Sequence, residues 1–281
     1  MSPVTLYTFG GSVWAAVPEL AIHELEYPPD AIEKKVVNLV AGENFNPWFL
    51  HINPNGTLPT LEADGRAYTN TTDVVEYLVK NAPDAGARSS SASGKALIAE
   101  IHEDNIDPNF AFLLARNDEE LTAKARTLPK VFLAQRQEAL NSISATPEAQ
   151  AFSNFYTAKL AGNGGLLDIY HGKAPATAKN GFFEQSRSHF ENVAKYTIEI
   201  LPQRLPTGTA FIDGEVPGET DFHVGAWLAR IAATCGASKS GEGVKALEAA
   251  FGKTIPDRLQ QYYNAWIARD SWKALYAEGL H

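Results

Sequence analysis

The sequence predicts an α+β domain over residues 1–82, with the element order βαβαββα, followed by an all-helical domain over residues 95–281. Three observations predict this division. Strand-like and helix-like segments alternate only in the first eighty or so residues, and an Asp-Gly turn separates two of the strands. A Ser-rich stretch within residues 83–94 then reads as a linker. The length of 281 residues also exceeds the usual size of one domain.

The first predicted elements are a strand and a helix. Residues 4–9 form a short apolar strand, and Ser12 is a favoured N-cap for the helix that follows. We expect Pro18 to kink or loosen that helix, since proline removes one helical hydrogen bond. The helix is indicated by apolar side chains at helical spacing, namely Trp14, Val17, Ala21 and Leu25.

The rest of the first domain is predicted from its turns. Residues 35–40 read as a second strand, which the intervening helix should place parallel to the first. Residues 60–63 and 66–69 flank Asp64-Gly65, a strong hairpin signal. A short helix follows, with one apolar face formed by Val74, Val75, Leu78 and Val79.

The second domain is predicted to be helical throughout. Pro108 is expected to bend or split the first of its helices. Residues 162–181 hold five glycines and Pro175, so they predict a long loop, either a lid or site wall or an insertion without a role. The predicted helices cover residues 94–116, 119–142, 147–161, 182–205, 220–236, 244–251 and 256–278. In the fifth, one apolar stripe contains Val224, Leu228, Ile231 and Cys235.

Composition excludes several classes of protein. The formal net charge of −9 argues against a nucleic-acid partner, and no apolar run is long enough to cross a membrane. We expect no signal peptide, since the opening residues have neither a basic flank nor a long apolar run. The single cysteine, Cys235, forms no intrachain disulfide, which favours a cytoplasmic location. The seven histidines lack ligand spacing, so we predict no metal.

Three segments predict a binding site for a small acidic peptide with a thiol. Proline at position 59 leaves the backbone of Leu58 extended. The N–H and C=O of Leu58 can then form antiparallel β-type hydrogen bonds with a bound peptide, as one backbone rung. The helix start at Thr71 offers free N–H groups, a partial positive charge and a hydroxyl donor to a carboxylate. The helix start at Ser12 provides a third anchor, next to which the thiol should lie.

This spacing resembles that of the cytosolic glutathione transferases. Their pattern is an Asn-Pro-x-Gly-x-hydrophobic-Pro turn, an Asp-Gly hairpin and a Glu-Ser pair at a helix start, and residues 53–71 follow it. The resemblance continues at residues 211–214 and 220–221, where the family has a Ser/Thr-x-x-Asp element. The likeness is greatest to serine-type and fungal or etherase-like members. It implies a thioredoxin-like first domain, a helical second domain, a homodimer and glutathione as cosubstrate.

The resemblance also implies roles for individual residues. Ser12 falls where serine-type members hold the glutathione thiolate, and it is the implied catalytic residue. Leu58 supplies the backbone rung. The implied glutathione-binding side chains are those of Asn44 and Thr57 for the glycyl carboxylate, and of Asn70 and Thr71 for the γ-glutamyl end.

Two positions depart from the family pattern. Asn70 lacks the charge of the usual Glu, which predicts weaker or differently tuned glutathione binding. Gly218 stands where the family has the capping Ser or Thr.

Other candidates for the catalytic residue are less suitable. Ser12 has no His-Asp partner at motif spacing, so it is expected to donate a hydrogen bond to a thiolate rather than to act as a nucleophile. Taken alone, Ser12 is better explained as a helix cap, and it is the downstream turn at residues 53–59 that reverses this preference. Tyr7 lies one residue from where tyrosine-type members place their hydroxyl, and such a shift turns a strand side chain to the opposite face. Cys235 lies on an apolar stripe and is expected to be a core thiol.

The function predicted from these residues is conjugation of the glutathione thiolate to an apolar, aromatic electrophile, with aryl ether cleavage as one variant. Phe110, Leu113 and Leu114 are the candidates for the wall of the apolar site. Two alternatives remain open at this point: a non-catalytic ligandin that binds apolar molecules in the same cleft, and a structural or chaperone-like relative.

Overall fold

The computed structural model of the protein describes residues 4–83 and 88–281. In the first of these ranges the elements follow the predicted order βαβαββα, which is confirmed. They are β1 (Val4–Thr8), α1 (Val13–Glu24), β2 (Ile32–Val36), α2 (Pro47–Ile52), β3 (Thr60–Ala63), β4 (Arg66–Tyr68) and α3 (Thr71–Lys80). A single 3₁₀ turn, Glu43–Phe45, precedes α2.

The strands form one sheet in the order β2-β1-β3-β4. Strand β3 is antiparallel to both β1 and β4, with Leu61 opposite Leu6 on one side and opposite Tyr68 on the other. The predicted Asp-Gly hairpin is confirmed. Asp64 and Gly65 both have positive φ, at 53° and 75°, which is the backbone conformation of the two-residue turn that fits the twist of paired strands.

The second strand lies earlier than predicted, at Ile32–Val36 rather than over residues 35–40. Local hydrogen bonds end it. The Asn38 side-chain oxygen accepts from the N–H groups of Val40 and Ala41, both at 3.0 Å, and so closes a turn there. The apolar valines of this segment favoured the later bounds, but their pattern does not reveal the turn. Strand β2 lies at the edge of the sheet, where its charged side chains are exposed to water.

Helix α1 is continuous through Pro18 to Glu24. Its buried side chains pack into the main hydrophobic core together with residues of α3 and β3. This packing offsets the hydrogen bond that proline removes.

From residue 88 onward the described residues form helices, apart from one isolated bridge between Phe211 and Gly214. The helices are α4 (Ala92–Ile101), α5 (Pro108–Leu113), α6 (Asp118–Lys124), α7 (Leu128–Ser144), α8 (Ser153–Tyr170), α9 (Ala176–Lys195), α10 (Leu201–Arg204), α11 (Glu219–Thr234), α12 (Gly243–Phe251), α13 (Asp257–Ala268) and α14 (Asp270–Leu275). The predicted split at Pro108 is confirmed, because this proline begins α5.

The predicted loop over residues 162–181 is wrong. Helix α8 runs to Tyr170 through three glycines, and α9 begins at Ala176. Glycine costs about 1 kcal/mol per residue in a helix, and packing offsets this cost here. Asn163 donates to the Leu133 carbonyl at 2.9 Å and to the Gln137 side chain at 2.8 Å. A Cβ at Gly164 would lie 3.3 Å from Gln137, so a small residue permits this close packing on α7.

The described residues cluster into two compact units that interleave along the chain. Unit 1 contains the described residues within 1–34, 58–111 and 189–281, and unit 2 contains residues 35–57 and 112–188. The predicted domain limits, 1–82 and 95–281, follow chain order and remain a prediction. Part of the predicted linker 83–94, residues 84–87, lies outside the described residues, and residues 92–94 belong to α4, whose N-cap is Ser91.

Helix α11 is the central helix of unit 1, and every side chain from Glu219 to Ala232 is buried. The predicted apolar stripe is therefore only part of a helix that is shielded on all sides. Cys235 is the C-cap residue and is half-buried, and it packs against the edge of the core. It lies beyond the last turn of the helix, which explains why it is less buried than the sequence predicted.

The N-terminus of α11 explains why glycine occupies position 218. Asp213 replaces the missing cap, since its carboxylate accepts from the Thr220 N–H at 2.7 Å and from the Thr220 hydroxyl at 3.1 Å. A Cβ at position 218 would lie 2.5 Å from the Asp213 Cβ, so no side chain fits there. Asp221 completes the cap from within the helix by accepting from the Gly218 N–H at 3.0 Å.

No helix in the described parts of the chain has the length and apolar character needed to cross a membrane.

Candidate functional site

Ser12 begins α1 at the end of a tight turn. Its N–H donates to the Phe9 carbonyl at 3.0 Å, and its hydroxyl oxygen accepts from the Ala15 N–H at 3.4 Å. The hydroxyl hydrogen has no acceptor among the described residues. Ser12 is therefore a helix cap, as one reading of the sequence predicted, and it can donate a hydrogen bond at the same time. The next two N–H groups, of Val13 and Trp14, have no partner within the helix and point the same way along its axis.

Leu58 precedes a cis peptide bond to Pro59. Its backbone N–H and C=O make no hydrogen bond within the described residues, because β3 begins only at Thr60. Both groups are therefore available to pair with an extended peptide.

Helix α3 begins at Asn70, whose side-chain oxygen accepts from the Asp73 N–H at 2.9 Å. The Asn70 amide also donates to the Asp73 carboxylate at 2.7 Å. A negative charge therefore lies at this helix start although Asn70 itself is neutral. Thr71 is buried, and its hydroxyl has no partner among the described residues. Asp73 was not among the predicted site residues, although its position three residues after the N-cap was a visible signal.

Asn44 lies in unit 2, where only 2% of it is exposed. Its amide donates to the Gly56 carbonyl at 2.6 Å, and its oxygen accepts from Arg136 at 3.3 Å. Thr57 is held in the same unit by Asn53, whose amide donates to the Thr57 carbonyl at 3.0 Å and to its hydroxyl at 3.2 Å. The structure thus places Asn44 in contact with Gly56, the residue that precedes Thr57.

Arg136 adds a positive charge beside Asn44. It donates to the Leu39 carbonyl at 2.7 Å, and its guanidinium lies 4.2 Å from the Phe45 ring centre and 4.7 Å from that of Phe132. Burial lowers the pKa of Arg136 to about 10. Burial and the nearby guanidinium both lower the pKa of Lys159. Neither cation forms an ion pair with a described carboxylate, so this part of unit 2 is an uncompensated positive region.

The Tyr7 hydroxyl is hydrogen-bonded to a carboxylate. Its hydroxyl donates to the Glu62 carboxylate on the neighbouring strand at 2.6 Å. Burial and this carboxylate raise the pKa of the Tyr7 phenol well above its usual value. This arrangement agrees with the interpretation that Tyr7 is not the thiolate donor.

The residues predicted for the apolar wall fall in different units. Phe110 belongs to unit 1, is 40% exposed and packs edge-on against His189 with ring centres 6.0 Å apart. Leu113 and Leu114 belong to unit 2 and pack on a small apolar cluster that includes Phe182. Their carbonyls accept from Tyr170 and Lys124, both at 2.6 Å, which fixes this segment.

A polar cluster lies behind the start of α1. Trp14 stacks on His102 with ring centres 3.8 Å apart, and His102 shares a 2.9 Å hydrogen bond with His223. Burial lowers the pKa of His102 to about 4, and burial and His102 lower that of His223 further. Both imidazoles are therefore neutral near pH 7. Sequence reasoning missed this cluster, since more than a hundred residues separate the two histidines.

Comparison with known proteins agrees with the fold described above. Residues 6–86 match the family model described as glutathione S-transferase, N-terminal domain. Among the residues that the structure describes, no group of three His, Cys, Asp or Glu side chains is placed to hold a metal ion.

Three solved structures are similar to the whole chain. The β-etherase LigF from Sphingobium sp. strain SYK-6 is 17% identical, with a TM-score of 0.59 over 99% of this chain and 100% of that one. Glutathione transferase F2 from Populus trichocarpa is 15% identical, with a TM-score of 0.56 over 97% of each chain. A glutathione transferase homologue from Sulfitobacter, with bound glutathione, is 17% identical, with a TM-score of 0.54 over 100% of each. The chain therefore has the glutathione transferase fold, a thioredoxin-like region followed by helices.

Proposed function

We propose that the protein is a glutathione transferase that joins the glutathione sulfur to an apolar, aromatic electrophile. The observation that carries the proposal is the Ser12 hydroxyl, which caps α1 through its oxygen and keeps its hydrogen free. A sulfur atom next to this hydroxyl would also accept hydrogen bonds from the backbone N–H groups of Val13 and Trp14 at the helix start. Such surroundings stabilise a thiolate relative to a thiol, whose pKa is otherwise about 8.5.

The cysteinyl and γ-glutamyl residues of glutathione are held, in this proposal, by backbone and side-chain groups of unit 1. The Leu58 N–H and C=O pair with the cysteinyl residue. Asn70 and Thr71 hold the γ-glutamyl carboxylate at the start of α3. The Asp73 carboxylate, beside Asn70, provides the negative charge for the ligand ammonium that the family's usual Glu would provide.

The other end of glutathione carries the glycyl carboxylate, for which Asn44 and Thr57 are the proposed ligands. Both ends of the Asn44 amide already have partners, so we assign the positive charge at this end to Arg136, which contacts Asn44. Charged hydrogen bonds are roughly twice as strong as neutral ones.

In the reaction the thiolate attacks an electrophilic carbon of the second substrate. A carbon–sulfur bond forms, and the bond to the leaving group breaks with its electron pair. Ser12 lowers the cost of forming the thiolate, whose proton goes to solvent. An aryl oxide, released when the carbon–oxygen bond of an aryl ether breaks, is one leaving group that fits this scheme, with Phe110, Leu113 and Leu114 as candidates for the apolar contacts.

Calorimetric titration with millimolar glutathione, followed by turnover of a generic aromatic electrophile, tests the proposal. We expect binding, and conjugation that depends on Ser12. An absence of both heat and thermal protection would refute it. Binding of glutathione and of aromatic dyes without any turnover would favour a ligandin instead.

We also propose a cytoplasmic homodimer, as the resemblance implies and as most soluble oligomers are symmetric dimers. Light scattering at micromolar concentration is expected to give twice the monomer mass of 30.5 kDa. A mass at the monomer value would contradict it.

A further inference from the structure

Arg230 is a buried cation that contacts the turn leading into Ser12. It lies on α11, is 8% exposed, and donates from its terminal nitrogen to the Gly11 carbonyl at 2.6 Å. Its Nε is buried and has no hydrogen-bond partner within the described residues. The two contacting residues are 219 positions apart in the sequence, so no motif pointed to this contact.

The surroundings of Arg230 leave its charge largely uncompensated. No carboxylate forms an ion pair with it among the residues described. The groups that face it are Asp107, Tyr276 and His281. Burial lowers the pKa of Arg230, while Tyr276 and Asp107 raise it. Burying a charge without an ion-pair partner costs free energy. We therefore expect Arg230 to have a role that compensates this cost.

The contact with Gly11 places this charge next to the proposed thiol site. The Gly11 carbonyl belongs to the peptide unit whose N–H is that of Ser12. That N–H closes the turn onto the Phe9 carbonyl at 3.0 Å, so Arg230 fixes the turn from its other side. Positive charge at the N-terminus of a helix adds to the potential of the free N–H groups, and a buried position screens it little.

We propose that Arg230 is a positioning residue for the thiol site: its guanidinium fixes the turn before Ser12 and adds positive charge beneath the start of α1, where a thiolate binds. The inference rests on the proposed function and deepens it. Ser12 contacts the sulfur directly, whereas Arg230 acts on it through the Gly11 peptide and through its charge.

The test measures the pKa of the thiol of bound glutathione from its ultraviolet thiolate absorbance, alongside glutathione affinity by calorimetry. Arg230→Gln keeps a hydrogen-bond donor for Gly11 but removes the charge. It is expected to raise the bound thiol pKa by about one unit, which is a tenfold lower thiolate fraction at neutral pH. Arg230→Lys retains the charge and is expected to restore most of the thiolate.

Arg258 provides the matched control. It is another arginine of unit 1 that donates to backbone carbonyls, those of Pro202 and Leu205, both at 3.2 Å. Arg258→Gln removes a comparable contact far along the chain from Ser12 and should leave the bound thiol pKa at the wild-type value. A shift equal to that of Arg230→Gln would show a general effect of stability and would overturn the proposal.

The remaining outcomes are also decisive. If wild type binds glutathione and Arg230→Gln has the wild-type thiol pKa, the inference fails and the proposed function stands. If wild type does not bind glutathione, both fail. If Arg230→Gln does not fold, the same substitution is placed in a chain that also carries Gly162→Ala and Gly165→Ala, which we expect to stabilise α8.

Discussion

Glu24 and Arg269 form a bidentate ion pair within unit 1. Arg269 donates from Nε at 3.0 Å and from its terminal nitrogen at 2.6 Å to the two carboxylate oxygens of Glu24. The Ser271 hydroxyl also donates to Glu24, at 2.5 Å. The last turn of α1 is thus joined to the start of α14, 245 residues later along the chain.

Removing Arg269 should destabilise the protein strongly, because the buried Glu24 would lose the cation that pairs with it. We expect Arg269→Met to lower the free energy of unfolding by about 3–5 kcal/mol. Urea denaturation measures the change. Lys273→Met breaks the exposed pair with Asp270 and serves as the control, with an expected loss below about 1 kcal/mol. Equal losses in the two variants would contradict the prediction.

Ser12→Ala should slow conjugation more than it weakens glutathione binding. A hydrogen bond to a charged group contributes about 1.5–3 kcal/mol, so kcat/KM should fall about ten- to a hundredfold at neutral pH. The deficit should shrink at high pH, where solution already supplies the thiolate. Ser91→Ala removes the equivalent cap of α4 and is the control, since Ser91 accepts from the Gly94 N–H at 3.1 Å. If both variants have the wild-type pH profile, Ser12 is only a helix cap.

Arg136→Met should weaken glutathione binding about tenfold, since it removes the cation that contacts Asn44. The effect should disappear when the glycyl carboxylate is blocked as a methyl ester, because the ester has no charge for Arg136 to meet. Calorimetry with both ligands gives the comparison. Arg187→Met removes another arginine–carbonyl contact of unit 2, to Arg116, and should bind glutathione as wild type does. An equal loss for glutathione and its ester would argue against the assignment.

Acid should destabilise the fold through the buried histidines. An unfolded histidine takes up a proton near pH 6.5, whereas His102 in the fold does so only at about 4, because burial lowers its pKa. The unfolded chain therefore binds more protons between these values, and the free energy of unfolding should fall as pH drops from about 6.5 to about 4. His102→Gln should flatten this dependence. Trp14→Phe removes the stacked indole but keeps both histidines. Its free energy of unfolding should therefore be lower by the same amount at every pH, with the same dependence on pH as wild type.

The glycines of α8 give a test of its helical state. Gly162 and Gly165 have open space where a Cβ would stand. Alanine at either position should raise the free energy of unfolding by about 0.5–1 kcal/mol, because it reduces the freedom of the unfolded chain and favours helix. Gly56→Ala is the opposite control, since Gly56 has a φ of 60° and its Cβ would lie 2.9 Å from Phe155. No gain at Gly162 or Gly165 would speak against a helix through these residues.

The sequence predicted the features that depend on local rules. The order of strands and helices, the Asp64-Gly65 hairpin, the Ser12 cap and the start of α5 at Pro108 all follow from turn and cap chemistry. Two local errors have local causes. Asn38 ended β2 early through its side chain, and the glycines of α8 were read as breakers although packing on α7 compensates them.

The long-range part of the site was not predictable in this way. Three hydrogen-bonded pairs come into contact only after the chain has folded: Arg230 with Gly11, Arg136 with Asn44, and His102 with His223. Each of these contacts joins residues separated by about a hundred positions or more. A single sequence provides no periodicity or spacing that marks such pairs.

The distance along the chain between α1 and its partners has a consequence for biosynthesis. Helix α1 packs on α3, which is made early, but also on α11 and α14, so part of its apolar surface is covered only by residues beyond 218. At about 5–20 residues per second, the ribosome needs roughly 10–40 s to add the residues between them. During that interval the nascent N-terminal region exposes core surface to the cell. Efficient production should therefore depend on chaperones that bind the emerging chain until α11 and α14 are made.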